Sequence, residues 1–185
     1  YQLDTVNIFY FDQLLVRGLN IFLAYDMKYI NLDSFFAKDN ITGIEKTLEA
    51  NHIHIMNTLI ADRNSASIQI SSRQGMFVLT NVVKYPYFIV STDINRQDPS
   101  TRNIYSLTVP FASPIVFSSD TKNISFTPVI RSSKNSTAKR ETARTNINPF
   151  DGYQPEIDDI RGPFNIAGIF YGNFISAFNN PPLIN

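Results

Sequence analysis

The chain predicts an α/β fold, a mixed sheet with helices, carrying additional antiparallel strands in its second half. Three features lead there. A helically spaced apolar segment passes through a glycine into a short, almost wholly apolar run that ends in aspartate. A second helix signal follows at residues 42–52. From residue 67 to 131, β-branched and aromatic runs then succeed one another between polar turns.

In "VNIFYFDQLLVRGLNIFLAYD", Ile8, Phe9, Phe11, Leu14 and Leu15 fall at helical spacing, with Arg17 in the last turn and Gly18 at the position after the helix. The following "NIFLAYD" suits a buried strand of a parallel sheet ending at Asp26. Helix, glycine, buried strand and acid form half of a doubly wound repeat. "TGIEKTLEANH" places Thr42 and Glu45 three apart as a capping box for a second helix. "HIHIM" and "SASIQI" alternate as short strands. The runs "MFVLTNVV", "YFIVST", "YSLTVPFASPIVF" and "ISFTPVIRS" continue as antiparallel strands, with "DPSTRN" as a short helical turn.

Within "SLTVPFASPIVF", Pro110 and Pro114 cannot donate to a ladder, which places that strand at an edge or gives it bulges. Residues 131–161 are polar, with five basic residues by Arg144 and an acidic end, and read as a long loop. "GPFNIAGIFYGNFISAFNN" reads as a last strand through Tyr171. Gly168 and Gly172 stand where a bend or a close backbone approach needs them.

At 185 residues and 43% hydrophobic content, residues 1–185 are expected to form one domain. Sixteen basic and sixteen acidic residues cancel, so no field attracts nucleic acid. The absence of cysteine excludes disulfides, thiolate zinc sites and cysteine nucleophiles. The chain starts at Tyr1 and holds no apolar run of about 18 residues. It is expected to be a soluble piece of a longer protein.

Candidate chemistry is sparse. Asp26 closes the expected buried strand, and Asp62 in "LIAD" matches that placement; both are candidate ligand or partner contacts, or caps of following turns. His52 and His54 sit two apart and share one face of a strand, but no third metal ligand lies at a suitable spacing. No G-x-S-x-G elbow, G-x-G-x-x-G or P-loop is present, so no catalytic residue, cofactor site or metal site is assigned. The basic "RSSKNSTAKRETAR" is a solvated loop or an anion-binding segment. The sequons at Asn40, Asn123 and Asn135 mark exposed polar turns.

Four stretches carry a family resemblance in order along the chain: "FYFDQLLVRGLNIFLAYD", "KYPYFIVSTDINRQDPSTRNIYSLTVPFASPI", "FTPVIRSSKNS" and "GPFNIAGIFYGNFISAF". Together they resemble the auxiliary proteins of uncharacterised ABC-type transport systems, of the gliding-motility GldG type. Leu19 stands where that family has a second glycine, and Tyr171 where an acid is frequent. The resemblance implies a Rossmann-like core of the class I glutamine-amidotransferase type. It also implies a place on the extracytoplasmic, periplasmic face of a bacterial inner membrane, anchored by helices outside this chain. Implied partners are the permease and ATPase of the same system, with a possible extracellular substrate. The expected role is a non-catalytic binding or scaffold domain. The alternatives are a hydrolase or carbohydrate-processing enzyme using Asp26, Asp62 or a serine, and a periplasmic small-ligand receptor. Fold relatives that are amidotransferases use a cysteine, which this chain lacks.

Overall fold

The computed structural model of the chain describes residues 2–74, 76–118, 123–140 and 144–182. In chain order come α1 (Thr5–Val16), β1 (Lys28–Asn31), β2 (Phe36–Asp39), α2 (Glu45–Ala50), β3 (Ile53–Ile55), β4 (Ile60–Asp62), β5 (Ser65–Gln74), β6 (Phe77–Ser91) and β7 (Asp93–Ile94). Then follow β8 (Leu107–Pro110), β9 (Ile115–Phe117), β10 (Ile124–Arg131), β11 (Ser136–Ala138), β12 (Arg144–Asn146), a 3-10 turn (Pro149–Asp151), β13 (Ile160–Arg161) and β14 (Asn165–Gly172).

The first helix starts and stops for local reasons. The Asp4 carboxylate accepts the Asn7 N–H at 2.7 Å. At the other end Gly18 takes φ +79°, the Gly18 N–H reaches the Leu15 carbonyl, and the Leu19 N–H reaches back to Leu14. This is a Schellman exit, and only Gly18 in it needs a positive φ, so Leu19 serves without loss.

Beyond Gly18 the α/β expectation fails. Every strand pairing among the described residues is antiparallel, in four small sheets, and there are two α-helices; no parallel Rossmann-like sheet forms. Residues 20–26, expected as a buried strand, carry no strand, and Phe22 is 94% exposed. The chain instead enters the β1–β2 hairpin, whose turn is fixed by the Ser34 N–H donating to Asn31 Oδ1 at 2.9 Å. A tight hairpin returns the strand antiparallel, whereas a parallel neighbour requires a crossover of about a dozen residues.

The sheets are β1-β2-β12, β3-β9-β14-β10-β7, β13-β11-β4 and β5-β6-β8. Leu59 and Ile60 tie two apolar clusters together. Ile60 packs with Ile89, Ala112, Ala138 and Phe164, and Leu59 with Ala37 and Ile147. Tyr85 is buried between the rings of Tyr87, Phe88 and Phe111, and its hydroxyl donates to the Ile147 carbonyl at 2.7 Å. Burial pushes the Tyr85 phenol well above its usual range.

The two prolines mark a change of sheet. Pro110 ends β8 opposite Phe88, Phe111 takes φ +54°, and the chain re-enters a ladder as β9 in another sheet. Buried Pro114 offers its carbonyl to the Met56 N–H at 2.9 Å. One expected strand is therefore two. The expected long loop at 131–161 holds three short strands and the 3-10 turn, with residues 141–143 outside the described residues. In β14 a Cβ on Gly168 would lie 2.1 Å from the Phe126 ring, and one on Gly172 2.0 Å from the Asn123 carbonyl oxygen. Both glycines are required by close approach. Among the described residues no helix is long and apolar enough to cross a membrane.

The capping box expected at Thr42 and Glu45 forms only in part: α2 starts at Glu45 with Ile44 as its N-cap, and only the Glu45 carboxylate reaches back. Glu45 accepts the Thr42 N–H at 2.8 Å and the Gly43 N–H at 2.5 Å, and the Tyr25 hydroxyl donates to it as well. Burial pushes the Glu45 carboxyl up, but these hydrogen bonds outweigh it and hold the group below its usual value of 4.5. A depressed folded value means the stabilisation is complete above pH 4.5 and is lost as the pH falls through the folded value. Glu45→Gln is expected to lower the urea midpoint at pH 7 and to flatten the fall of that midpoint on acidification. A parallel fall in both proteins contradicts this.

Candidate functional site

Asp62 ends β4 and is fully buried. Its carboxylate accepts the Asn64 N–H at 2.8 Å, the Ser133 N–H at 2.7 Å and the Ser133 hydroxyl at 2.6 Å. Around it the serines of "RSSKNS" form a chain. The Phe164 N–H donates to Ser132 Oγ at 2.7 Å, and Ser132 and Ser136 lie 2.7 Å apart. The Ser136 hydroxyl is committed to the Ser133 carbonyl, which leaves Ser132 as the donor of that pair. Asp62 thus fastens the β10–β11 connection to the end of β4. Asp26 is exposed, just before β1, and its backbone carbonyl accepts Asn40 Nδ2 at 2.7 Å. No hydrogen bond or ion pair joins the two aspartates.

A second carboxylate centre escaped the sequence reading. Asp12 is the one buried residue of α1. It accepts the Ser176 hydroxyl at 2.5 Å, the Ala177 N–H at 2.8 Å, the Thr47 hydroxyl at 3.2 Å and Gln13 Nε2 at 3.2 Å. Beside it Asn51 Nδ2 donates to the Thr47 and Ile175 carbonyls, and Asn51 Oδ1 accepts the Ile175 N–H. Phe9 meets Phe178 edge to face at 5.4 Å. The signal for this centre was an aspartate set within an otherwise apolar helical run, paired at a distance with the polar Ser176 of "FISAF".

The histidines do not share a strand face. His52 precedes β3 at φ +59°, while exposed His54 lies within β3, its Nδ1 4.0 Å from Glu49. Among the described residues no cluster of three or more His, Asp or Glu is placed to hold a metal ion. The basic segment is dispersed as well. Arg131 pairs with Asp93 at 3.1 Å, Lys139 with Glu156 at 2.5 Å, and the Arg144 guanidinium lies 3.5 Å over the Phe36 ring.

Besides an open groove of about 550 Å³ along residues 93–97 and 127–131, two surface features stand out among the described residues. The first is a polar cleft of about 230 Å³ whose walls include Tyr87, Lys139, Asn146, Asp151, Glu156 and Asp159. Burial, helped by the negative charges of Asp151 and Asp159, pushes the Tyr87 phenol up to about 12, so it stays a protonated donor. That hydroxyl donates to the Asn146 carbonyl at 3.0 Å. The second feature is an arm. β5 and β6 pair from Ser65 opposite Ile89 out to Gln74 opposite Phe77, while β8 covers only Phe88–Ser91. Toward its tip Met76 is 93% exposed, and Val78 and Val82 are each 65% exposed. The arm thus bares apolar side chains on a two-stranded ribbon.

The described residues thus present surfaces, an arm and a small cleft, held in place by two buried carboxylate tethers. Residues 2–184 match a family described as an ABC-type uncharacterized transport system, and the chain belongs to this family of transport auxiliaries. Membership ties it to the components of an ABC transport system. No curated protein and no solved structure matches the chain.

Proposed function

We propose that this chain is a non-catalytic docking domain of an ABC transport system of the gliding-motility type. In this reading it stands on the extracytoplasmic, periplasmic face of the inner membrane, anchored by helices outside the chain, and engages the permease and, through it, the ATPase. Family membership supports the class, and the observation that carries the docking role is the β5–β6 arm with its bare Met76, Val78 and Val82. Exposed Asp26 is a partner contact in this scheme. Asp62 acts through the 132–136 connection that it holds.

Because Val78 and Val82 are exposed, Val78→Asp with Val82→Asp is expected to leave the melting temperature within a few degrees of wild type. The same double variant is expected to reduce the permease and ATPase recovered with the protein from solubilised membranes by about tenfold or more. Failure of the wild type to recover either component overturns the proposal. Equal recovery by the double variant removes the arm from it.

The Tyr87 cleft favours a second reading, a receptor for a small polyhydroxylated or cationic ligand, since carboxylates and a protonated phenol line one small cavity. A panel of sugars, amino acids and short peptides tests it by thermal shift, because a ligand bound only by the folded state raises the melting temperature. A flat response across the panel removes that reading for those ligands.

A further inference from the structure

After Gly18 the chain runs from residue 19 to 26 without helix, turn or bend, and it is apolar on both sides. Leu19 is 50%, Phe22 94% and Leu23 40% exposed, and Ala24 is exposed beside them. No backbone N–H from Asn20 to Asp26 has a hydrogen-bond partner among the described residues. The side-chain anchor of the run is Tyr25, whose hydroxyl donates to Glu45 and lies 3.0 Å from the Asn40 carbonyl. Tyr10 and Leu14, four apart on one face of α1, are also about half exposed. Such a segment has the apolar content of an interior strand and, the Asp26 carbonyl held by Asn40 apart, a row of unused donors and acceptors. These are the two requirements for adding a strand edge to edge.

We propose that residues 20–26 pair antiparallel with the same residues of a second copy, about a two-fold axis at Leu23. The register is self-complementary. Leu23 faces Leu23, Phe22 lies opposite the small Ala24, Ile21 opposite Tyr25, and Asn20 opposite Asp26, so an amide meets each carboxylate. No like charges are opposed, and the formal net charge of zero leaves no long-range repulsion between copies. The exposed side chains of this run, with Tyr10 and Leu14, offer on the order of 700 Å² per copy, close to one side of a standard interface. An isologous pairing of this kind closes as a dimer and does not propagate.

The test uses the 185-residue chain, which has no cysteine. Sedimentation over about 1–100 µM is expected to show a species of twice 21.0 kDa. Phe22→Asp, at a residue 94% exposed, is expected to keep the melting temperature and to weaken the dimer by about tenfold or more. Leu23→Cys places two sulfurs across the axis, with Cα atoms about 4.5–5.5 Å apart, and is expected to cross-link rapidly under mild oxidation. Ile21→Cys faces Tyr25 of the other copy and is expected to cross-link slowly. A monomer throughout the range overturns the proposal, as does a dimer indifferent to Phe22→Asp or cross-linking equally well at positions 21 and 23.

Discussion

Asp12→Ala is expected to lower the melting temperature by roughly 6–12 °C, from a loss of about 3 kcal/mol in a chain of this size. The carboxylate is fully buried and receives the Ser176 hydroxyl, the Ala177 N–H and the Thr47 hydroxyl. Its removal leaves donors without acceptors, and that costs more than the net value of the bonds themselves. The loss is also topological, because Asp12 fastens α1 to α2 and to the segment around residue 176. Asp12→Asn keeps the shape and some acceptor capacity, so it is expected to fall between wild type and alanine. Ser176→Ala combined with Asp12→Ala is expected to cost less than the two single changes added, since they share a bond. Differential scanning calorimetry of wild type and the four variants decides the matter. A shift of about 1 °C or less for Asp12→Ala contradicts the tether.

Asp62→Ala is expected to have a comparable effect at a different place. The carboxylate holds the Ser133 N–H and hydroxyl and the Asn64 N–H. Without it the 132–136 connection loses its fastening to β4, at a cost of about 2–3 kcal/mol. Amide hydrogen exchange reads this locally: the Ser133 and Asn64 amides are expected to exchange about tenfold faster or more, with smaller changes along β10. Asp62→Asn is expected to recover little, since its amide nitrogen must face one of the two backbone N–H donors. Unchanged protection at Ser133 contradicts the structural role and returns Asp62 to the ligand-contact candidates.

Much of the strand content was legible in the sequence. The exit of α1 at Gly18, the Glu45 cap, the runs between 67 and 131 and the close-approach glycines of β14 each follow from local chemistry. The fold class did not. "NIFLAYD" has the composition of a strand buried on both faces, and composition reports what a segment needs, not whether this chain supplies it. The evidence for an antiparallel return lay a few residues later, in the Asn-x-Asp-Ser turn at residues 31–34, whose side-chain hydrogen bond closes the β1–β2 hairpin.

Pro110 and Pro114 read, from sequence, as putting one strand at an edge or giving it bulges, and Pro110 does end β8, an edge strand of its sheet. They punctuate two, because the left-handed Phe111 between them turns the chain from one sheet to the next. At the candidate site the difficulty was distance. Asp62 meets Ser133 from 71 positions away, and Asp12 meets Ala177 from 165. No local pattern marks which polar residues will be buried together.

The docking role of the arm is tested most directly by a photo-cross-linking residue placed at Val78, irradiated in native membranes and compared with the same residue at exposed Lys46. An adduct containing the permease is expected from position 78 and none from position 46. No adduct from position 78, or equal adducts from both, contradicts it.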